Sequence, residues 1–291
     1  MLILKQLYSI TICNEITNQV IQNFDFEIPI DSFVLNSNKT KLAICLADSE
    51  IRIYSLTSFQ LLNKFDTGKH ITSICFNDKD TRLAVLYYNG IDIWHLKFRI
   101  KIHSFQFNEE EDNDDGVSVY FNKDNSKIIA AFMTGLIISI DIETPSSTPI
   151  QIRNNEFDSI TSMCLNSDKS IIICSNDDDD YIKIFDSNTL EFLKQFKIGN
   201  NSFFLPELVL SNNKFIINRL DKFYLIDIIT EESTFLFSQN SNYIKSATLS
   251  TDESKLFVSN RNKVKTYSLE TFELIRTMNC DNESVIQYVD L

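Results

Sequence analysis

Between His70 and Phe105 the hydrophobic rhythm of the chain changes several times within a short span. Ile71-Thr72-Ser73-Ile74-Cys75-Phe76 alternates with period two, the pattern of a strand whose two faces meet different surroundings. Asn77 to Thr81 is polar turn material, and Arg82-Leu83-Ala84-Val85-Leu86-Tyr87 is a nearly unbroken apolar run, as in a strand buried on both faces. Asn89-Gly90 supplies the positive φ that a tight hairpin turn needs. Ile91-Asp92-Ile93-Trp94 and Ile100 to Phe105 then read as a third and a fourth strand. Four short strands joined by short turns predict one antiparallel blade.

The unit repeats. Asn36-Ser37-Asn38-Lys39-Thr40-Lys41-Leu42 recurs as Asn77 to Leu83 and as Asn122 to Ile128, with looser copies at Asn166 to Ile171, Ser211 to Phe215 and Ser250 to Leu256. Successive copies begin 39 to 45 residues apart. That is the period of a propeller blade, a unit too small to bury its apolar face without neighbours. With 5 Gly in the whole chain, Asn and Asp are expected to serve in most of the tight turns.

On these residues the repeat resembles the WD40 family. His70 stands at the family's Gly-His position, Phe76-Asn77-Asp78 at its Phe-Ser-Pro turn, and Ile91-Asp92-Ile93-Trp94-His95 at its Ile-x-Ile-Trp-Asp ending. The ending recurs as Ile51 to Ser55, as Ile182-Lys183-Ile184-Phe185-Asp186, as Phe223 to Asp227 and as Val264 to Ser268, with a weaker copy at Ile137 to Asp141. Only Trp94 fills the Trp position. His70, Trp94, His95, Phe185 and Asp186 are therefore expected to be structural repeat positions. The resemblance implies an all-β, seven-bladed propeller of four-stranded antiparallel blades, and a protein that displays loops to partners.

Six blades are complete, at about 30–70, 71–108, 116–154, 159–200, 205–240 and 243–281. Met1 to Cys13 aligns without a gap on Leu42 to Tyr54, so the chain opens on the second strand of a blade. Val285 to Val289 aligns on the innermost strand Ile160 to Cys164. The expectation is one domain over 1–291, with the last blade shared by 1–28 and 284–291; a fragment cut at arbitrary points would rarely leave complementary ends.

Composition narrows the partners. No stretch approaches the roughly 18 apolar residues of a membrane span. The apolar N-terminus is broken by Lys5, Gln6, Ser9 and Thr11 with no cleavage site after it, so it reads as strand, and the chain as cytoplasmic. Net charge is −13, with no cluster of Lys and Arg in sequence, which argues against nucleic acid and anionic membranes as partners. The six cysteines form no CxxC pair and have no His at metal-ligand spacing; they read as reduced and structural, with Cys164 and Cys174 on neighbouring strands the one candidate pair.

No catalytic residue, metal site or cofactor is expected. The three histidines lie in one repeat without a nucleophile placed to use them, and no phosphate loop, HExxH or GxSxG occurs. The alternative is a propeller-type hydrolase or lactonase with carboxylates meeting at a channel mouth. The run Glu109, Glu110, Glu111, Asp112, Asn113, Asp114, Asp115, Gly116 lacks the twelfth-position Glu of a calcium loop, since Asn122 stands there. Together with Glu156, Asp158 and Asp177, Asp178, Asp179 and Asp180, it forms an acidic set on three consecutive connections, which the WD40 arrangement brings to one rim. Two readings stand: solvated loops, or a docking arc for a basic protein partner. The functional expectation is a non-catalytic interaction scaffold, a monomer within a larger complex.

Overall fold

The computed structural model describes all residues except 89, 107–114, 145–149, 154–158, 177–180, 198–201, 212, 220–221, 239–243, 261, 281–284 and 289–291, with backbone alone for 150–153, 202–207, 219 and 288. The chain opens with β1 (Leu2–Lys5), β2 (Ser9–Cys13) and β3 (Val20–Asp25). Sixteen strands follow in groups of four: β4 (Ile30–Leu35), β5 (Lys41–Leu46), β6 (Glu50–Ser55), β7 (Leu61–Asp66); β8 (Ile71–Phe76), β9 (Arg82–Tyr87), β10 (Gly90–His95), β11 (Ile100–Gln106); β12 (Gly116–Phe121), β13 (Lys127–Phe132), β14 (Leu136–Asp141), β15 (Ile150–Arg153); and β16 (Ser162–Leu165), β17 (Ile171–Ser175), β18 (Tyr181–Asp186), β19 (Phe192–Lys197). The remainder forms β20 (Ser202–Val209), β21 (Lys214–Arg219), β22 (Lys222–Asp227), β23 (Ser233–Ser238); β24 (Ser246–Leu249), β25 (Lys255–Asn260), β26 (Lys263–Ser268), β27 (Leu274–Asn279); and β28 (Val285–Tyr288). Among the described residues there is no helix, hence none long and apolar enough to cross a membrane.

These strands make seven four-stranded antiparallel sheets, a seven-bladed propeller as the repeats predict. The terminal sheet has the order β28-β1-β2-β3. Leu2, Ile3, Leu4 and Lys5 pair with Tyr288, Gln287, Ile286 and Val285, so the C-terminal strand supplies the innermost position that the N-terminus lacks.

The chain divides into two compact units, Asp31–Lys197 and Met1–Ile30 with Ile198–Leu291. In the first, apolar side chains of adjacent sheets interlock: Ala84, Leu86, Ile91 and Ile93 pack with Val119, Phe121, Ile128 and Ile138. In the second, Leu2, Leu4, Cys13 and Ile286 pack with Phe257, Val264 and Met278. Second strands such as β9 and β13 are buried along nearly their whole length, which explains their unbroken apolar sequence.

The turns depart from expectation in two ways. Gly90 lies inside β10 rather than at a left-handed turn position; a Cβ there would come within 2.5 Å of the Tyr87 ring, so the glycine makes room. Left-handed backbone falls on Asp80, Asn125 and Asn213, but equally on Lys39, Phe59, Arg99, Lys169, Leu190, Glu231, Glu253 and Phe272. The cost of that conformation, about 1–2 kcal/mol for an ordinary residue, is offset by hydrogen bonds that side chains elsewhere in each turn supply.

Candidate interaction surface

In five of the six signature turns the first residue is a buried polar side chain that stands in for backbone; Ser211 is the exception, exposed and bonded to Glu253. Asn36 Oδ1 accepts from Lys41 N at 2.7 Å, Asn122 Oδ1 from Lys127 N at 2.9 Å and Asn166 Oδ1 from Ile171 N at 3.0 Å. Asn77 Oδ1 accepts from both Thr81 N and Arg82 N at 2.8 Å, and Ser250 Oγ plays the same part for Lys255 N at 2.9 Å. The third-to-fourth-strand turns use the last residue of the third strand in a parallel way. Asp186 Oδ1 accepts from Asn188 N and Thr189 N, and Asp141, Asp227, Ser55 and Ser268 repeat the motif, as does Asn14, the residue that follows β2. These backbone donors hold the Asp141, Asp186 and Asp227 carboxyls below their ordinary range. Leu96 N donates to Thr81 O and Ile142 N to Ser126 O, which ties the two kinds of turn together at one end of these sheets.

At that end of the Asp31–Lys197 unit the turns meet around Asp78. Its carboxylate accepts from Lys169 Nζ at 2.7 and 2.8 Å and from Ser37 Oγ at 3.1 Å, and its backbone N donates to Asn125 Oδ1 at 2.9 Å. Burial opposes ionisation of Asp78, but Lys169, Ser37 and Asn125 outweigh it and hold the carboxyl below its usual range. Four repeats are thus joined through one residue.

The expected repeat positions have structural partners. Trp94 stacks on Phe65 of the preceding sheet, ring centroids 4.8 Å apart. Phe185 is 1% exposed and meets Phe192 edge-on at 5.7 Å. In five sheets the register between third and fourth strands slips at the Trp position, at Cys13, Tyr54, Trp94, Phe185 and Tyr267, a bulge that adds twist. The His95 ring meets Phe98 at a tilt of 37°, centroids 4.6 Å apart, and His70 Nε2 lies 3.6 Å from Asp31 Oδ2. His103 faces Phe105, so the three histidines have separate partners.

Of the acidic set, Glu109, Glu110, Glu111, Asp112, Asp114, Glu156, Asp158 and Asp177 to Asp180 lie outside the described residues; Asp115 is exposed. Among the described residues no three His, Cys, Asp or Glu side chains converge as a metal site. The six cysteines are free thiols; Cys174 pairs in register with Met163, and burial pushes its thiol pKa up.

Two features escape a linear reading. Asp92, fully buried, accepts from Tyr87 Oη at 2.9 Å, Ser104 Oγ at 2.6 Å and Lys101 Nζ at 3.3 Å; burial and then this charge raise the Tyr87 pKa. The second is a cleft of about 270 Å³ between the β4–β7 and β8–β11 sheets, lined by Lys41, Ile53, Leu62, Asn63, Asp80, Leu96 and Lys97. The turns 36–41, 55–60, 77–82 and 95–100 beside it carry Lys39, Lys41, Lys79, Arg82, Lys97 and Arg99 against only Asp78 and Asp80. No cluster of Lys and Arg stands in sequence, as expected, yet the cleft brings Lys41 of one turn beside Lys97 of another.

No family profile matches the chain, and no curated protein does. Among solved structures it is similar to the β-propeller domain of Cps50 (Swd1) from Myceliophteria thermophila, with a TM-score of 0.71 and 14% identity over 89% of this chain and 88% of that one. At that identity the likeness is one of fold, and the WD40-like propeller expected from the repeats is borne out as a fold.

Proposed function

We propose that this chain is a non-catalytic interaction scaffold whose seven blades act as one domain, monomeric within a larger complex, and that a basic protein partner docks on its acidic connections. The observation that carries the reading is the pairing of a repeated four-stranded sheet with acid concentrated in a few connections. The run 109–115 falls between β11 and β12, residues 156 and 158 between β15 and β16, and 177–180 between β17 and β18. Connections of these two kinds leave a four-stranded antiparallel blade at the same end, opposite the turns that meet around Asp78. Ten carboxylates, from 109–115 and 177–180, supply most of the −13 net charge. Like charges close together in sequence repel one another, and a cationic partner would relieve that repulsion while gaining a faster encounter.

The test replaces Asp177 to Asp180 and the carboxylates of 109–115 with Ser or Asn and compares affinity-purified partners at low and moderate salt. Basic partners should disappear from the substituted protein, and from the parent as salt rises. An identical partner list for the two proteins would reject the docking arc.

A further inference from the structure

The cleft between the β4–β7 and β8–β11 sheets has the opposite chemistry to the acidic connections. Ile53 and Leu96 are buried at its base, and Leu62, 42% exposed, forms an apolar wall. Asn63 fastens the two sheets across it: its Nδ2 donates to Leu96 O at 3.2 Å, and its Oδ1 accepts from Arg99 Nε at 2.9 Å. The cleft is thus built in advance, with little ordering left for a ligand to impose.

Its cations differ in availability. Lys41 is committed to Asp80 at 3.3 Å, and Asp80 is held in turn by Asn36 Nδ2 at 2.6 Å. Lys97 has no ion-pair partner among the described residues, its ammonium lying 5.6 Å from the ring centroid of Phe98. Arg99 commits only its Nε, to Asn63, among the described residues. Phe98 is 62% exposed on the same turn. At about 270 Å³ the cleft is just below the roughly 300–1,000 Å³ of small-molecule sites, a volume suited to one or two apolar side chains. Uncommitted cations around an apolar seat, in a chain of net charge −13, complement a ligand that joins hydrocarbon to negative charge.

We infer that this cleft takes an acidic–apolar segment of a partner protein. One large aliphatic or aromatic side chain seats against Ile53, Leu62 and Leu96, and flanking carboxylates meet Lys97 and Arg99. The inference is independent of the acidic docking arc, which uses the other end of the sheets and the opposite charge.

Fluorescence anisotropy on the full chain tests it with four labelled dodecapeptides: Asp/Glu interspersed with Leu/Phe, Lys/Arg interspersed with Leu/Phe, an Asp/Glu peptide without apolar residues, and a Ser/Gly/Asn peptide. The acidic–apolar peptide should bind best, and more weakly as salt rises from 0.05 to 0.3 M (roughly, across the screening range). Lys97→Glu, at a side chain that fastens neither sheet, should weaken it about tenfold and favour the Lys/Arg peptide, with an unchanged melting temperature as the control for folding. Leu62→Ala should weaken it roughly three- to tenfold through lost apolar burial. Equal binding of all four peptides, no saturation by the acidic–apolar one up to about 1 mM (a Kd near −4 kcal/mol), or unchanged affinity in the charge-reversed variant would overturn the inference. So would displacement by inorganic phosphate or equal binding of the purely acidic peptide, either of which makes the cleft a simple anion site.

Discussion

Phe65, on the outermost strand of one blade, lies 4.8 Å from Trp94 on the third strand of the next, the rings inclined by 28°. Phe237 and Tyr267 repeat the relationship at 4.0 Å and 13° in the other unit. The Trp position therefore works as a seat for the outer-strand aromatic of the preceding blade. The requirement is for a flat apolar face at a bulged position, so Tyr267 meets it as Trp94 does. Erosion of the Trp signature leaves the packing intact for this reason.

If the stack joins blades, Phe65→Leu and Trp94→Leu should be less than additive. A double-mutant cycle by urea denaturation is expected to give a coupling of about 0.5–1.5 kcal/mol, the range for aromatic pairs. Strict additivity would mean that the two rings act only through separate burial.

Asn77 replaces three backbone or hydroxyl partners at once, accepting from Thr81 N and Arg82 N and donating to Thr81 Oγ1 at 3.1 Å. It is 3% exposed, so Asn77→Ala strands buried donors and should cost about 1–3 kcal/mol. Asn77→Ser should cost less, because Ser250 does the same work in its own turn. Equal losses for the two variants would assign the effect to volume, not to hydrogen bonding.

Gly90→Ala should destabilise by steric conflict with Tyr87, and Tyr87→Ala should partly suppress it. The added methyl would lie 2.5 Å from the Tyr87 ring and 2.8 Å from the Phe105 carbonyl. Thermal melts of the two single variants and the double variant decide the point. A double variant as unstable as the sum of the singles would place the conflict at the Phe105 carbonyl alone.

Much of this architecture is legible from sequence because its causes are local. The signature Asn sits where a buried acceptor must meet the N–H five residues on, so it recurs with the blade period. The match of Met1 to Cys13 with Leu42 to Tyr54 reveals the shared blade, but not its register: Cys13 pairs with Leu2 and Tyr54 with Leu42, so β1 corresponds to β5 one residue away from the gapless alignment. Asp92 is not legible: Ile91-Asp92-Ile93 alternates like a strand with one wet face, yet its partners come from two neighbouring strands and seal it. The basic cleft is hidden for the same reason, since Lys41 and Lys97 approach each other only through blade stacking. Left-handed Lys, Leu and Phe residues give no compositional sign, because the residue that stabilises each turn is another one.

Acid should destabilise the protein through its turns. Hydrogen bonds from the Ser250 hydroxyl, the Ser254 N–H and the Ser254 hydroxyl lower the Asp252 pKa to about 2. Asp78, Asp168 and Asp186 are lowered as well. Because the folded values lie below the unfolded ones, this contribution is complete above about pH 4–4.5 and is lost as pH falls toward 2. Protonation elsewhere relieves the repulsion of a −13 chain and acts in the opposite sense, so the informative comparison is between variants. Asp252→Asn should melt lower than the parent at pH 6, and the gap should narrow as pH falls through about 2. A constant gap across that range would remove Asp252 from the linkage.

Closure rests on β28. Ile286 is fully buried against Leu4 and Phe257, and Ser246 Oγ lies 3.4 Å from both its N and its O. Removing Ser284 to Leu291 leaves β1 as an unpaired edge and exposes the apolar side chains that β28 covers. The truncated protein should melt far below the parent and associate at high concentration. Ile286→Ala keeps the strand while emptying its core position, and should cost about 2–4 kcal/mol. A synthetic peptide spanning 284–291, added in excess, should restore part of the truncated protein's melting temperature by binding the open edge, since a ligand for the folded state stabilises by mass action. A truncation that melts with the parent, or one the peptide leaves unmoved, would mean that the ring does not depend on this strand.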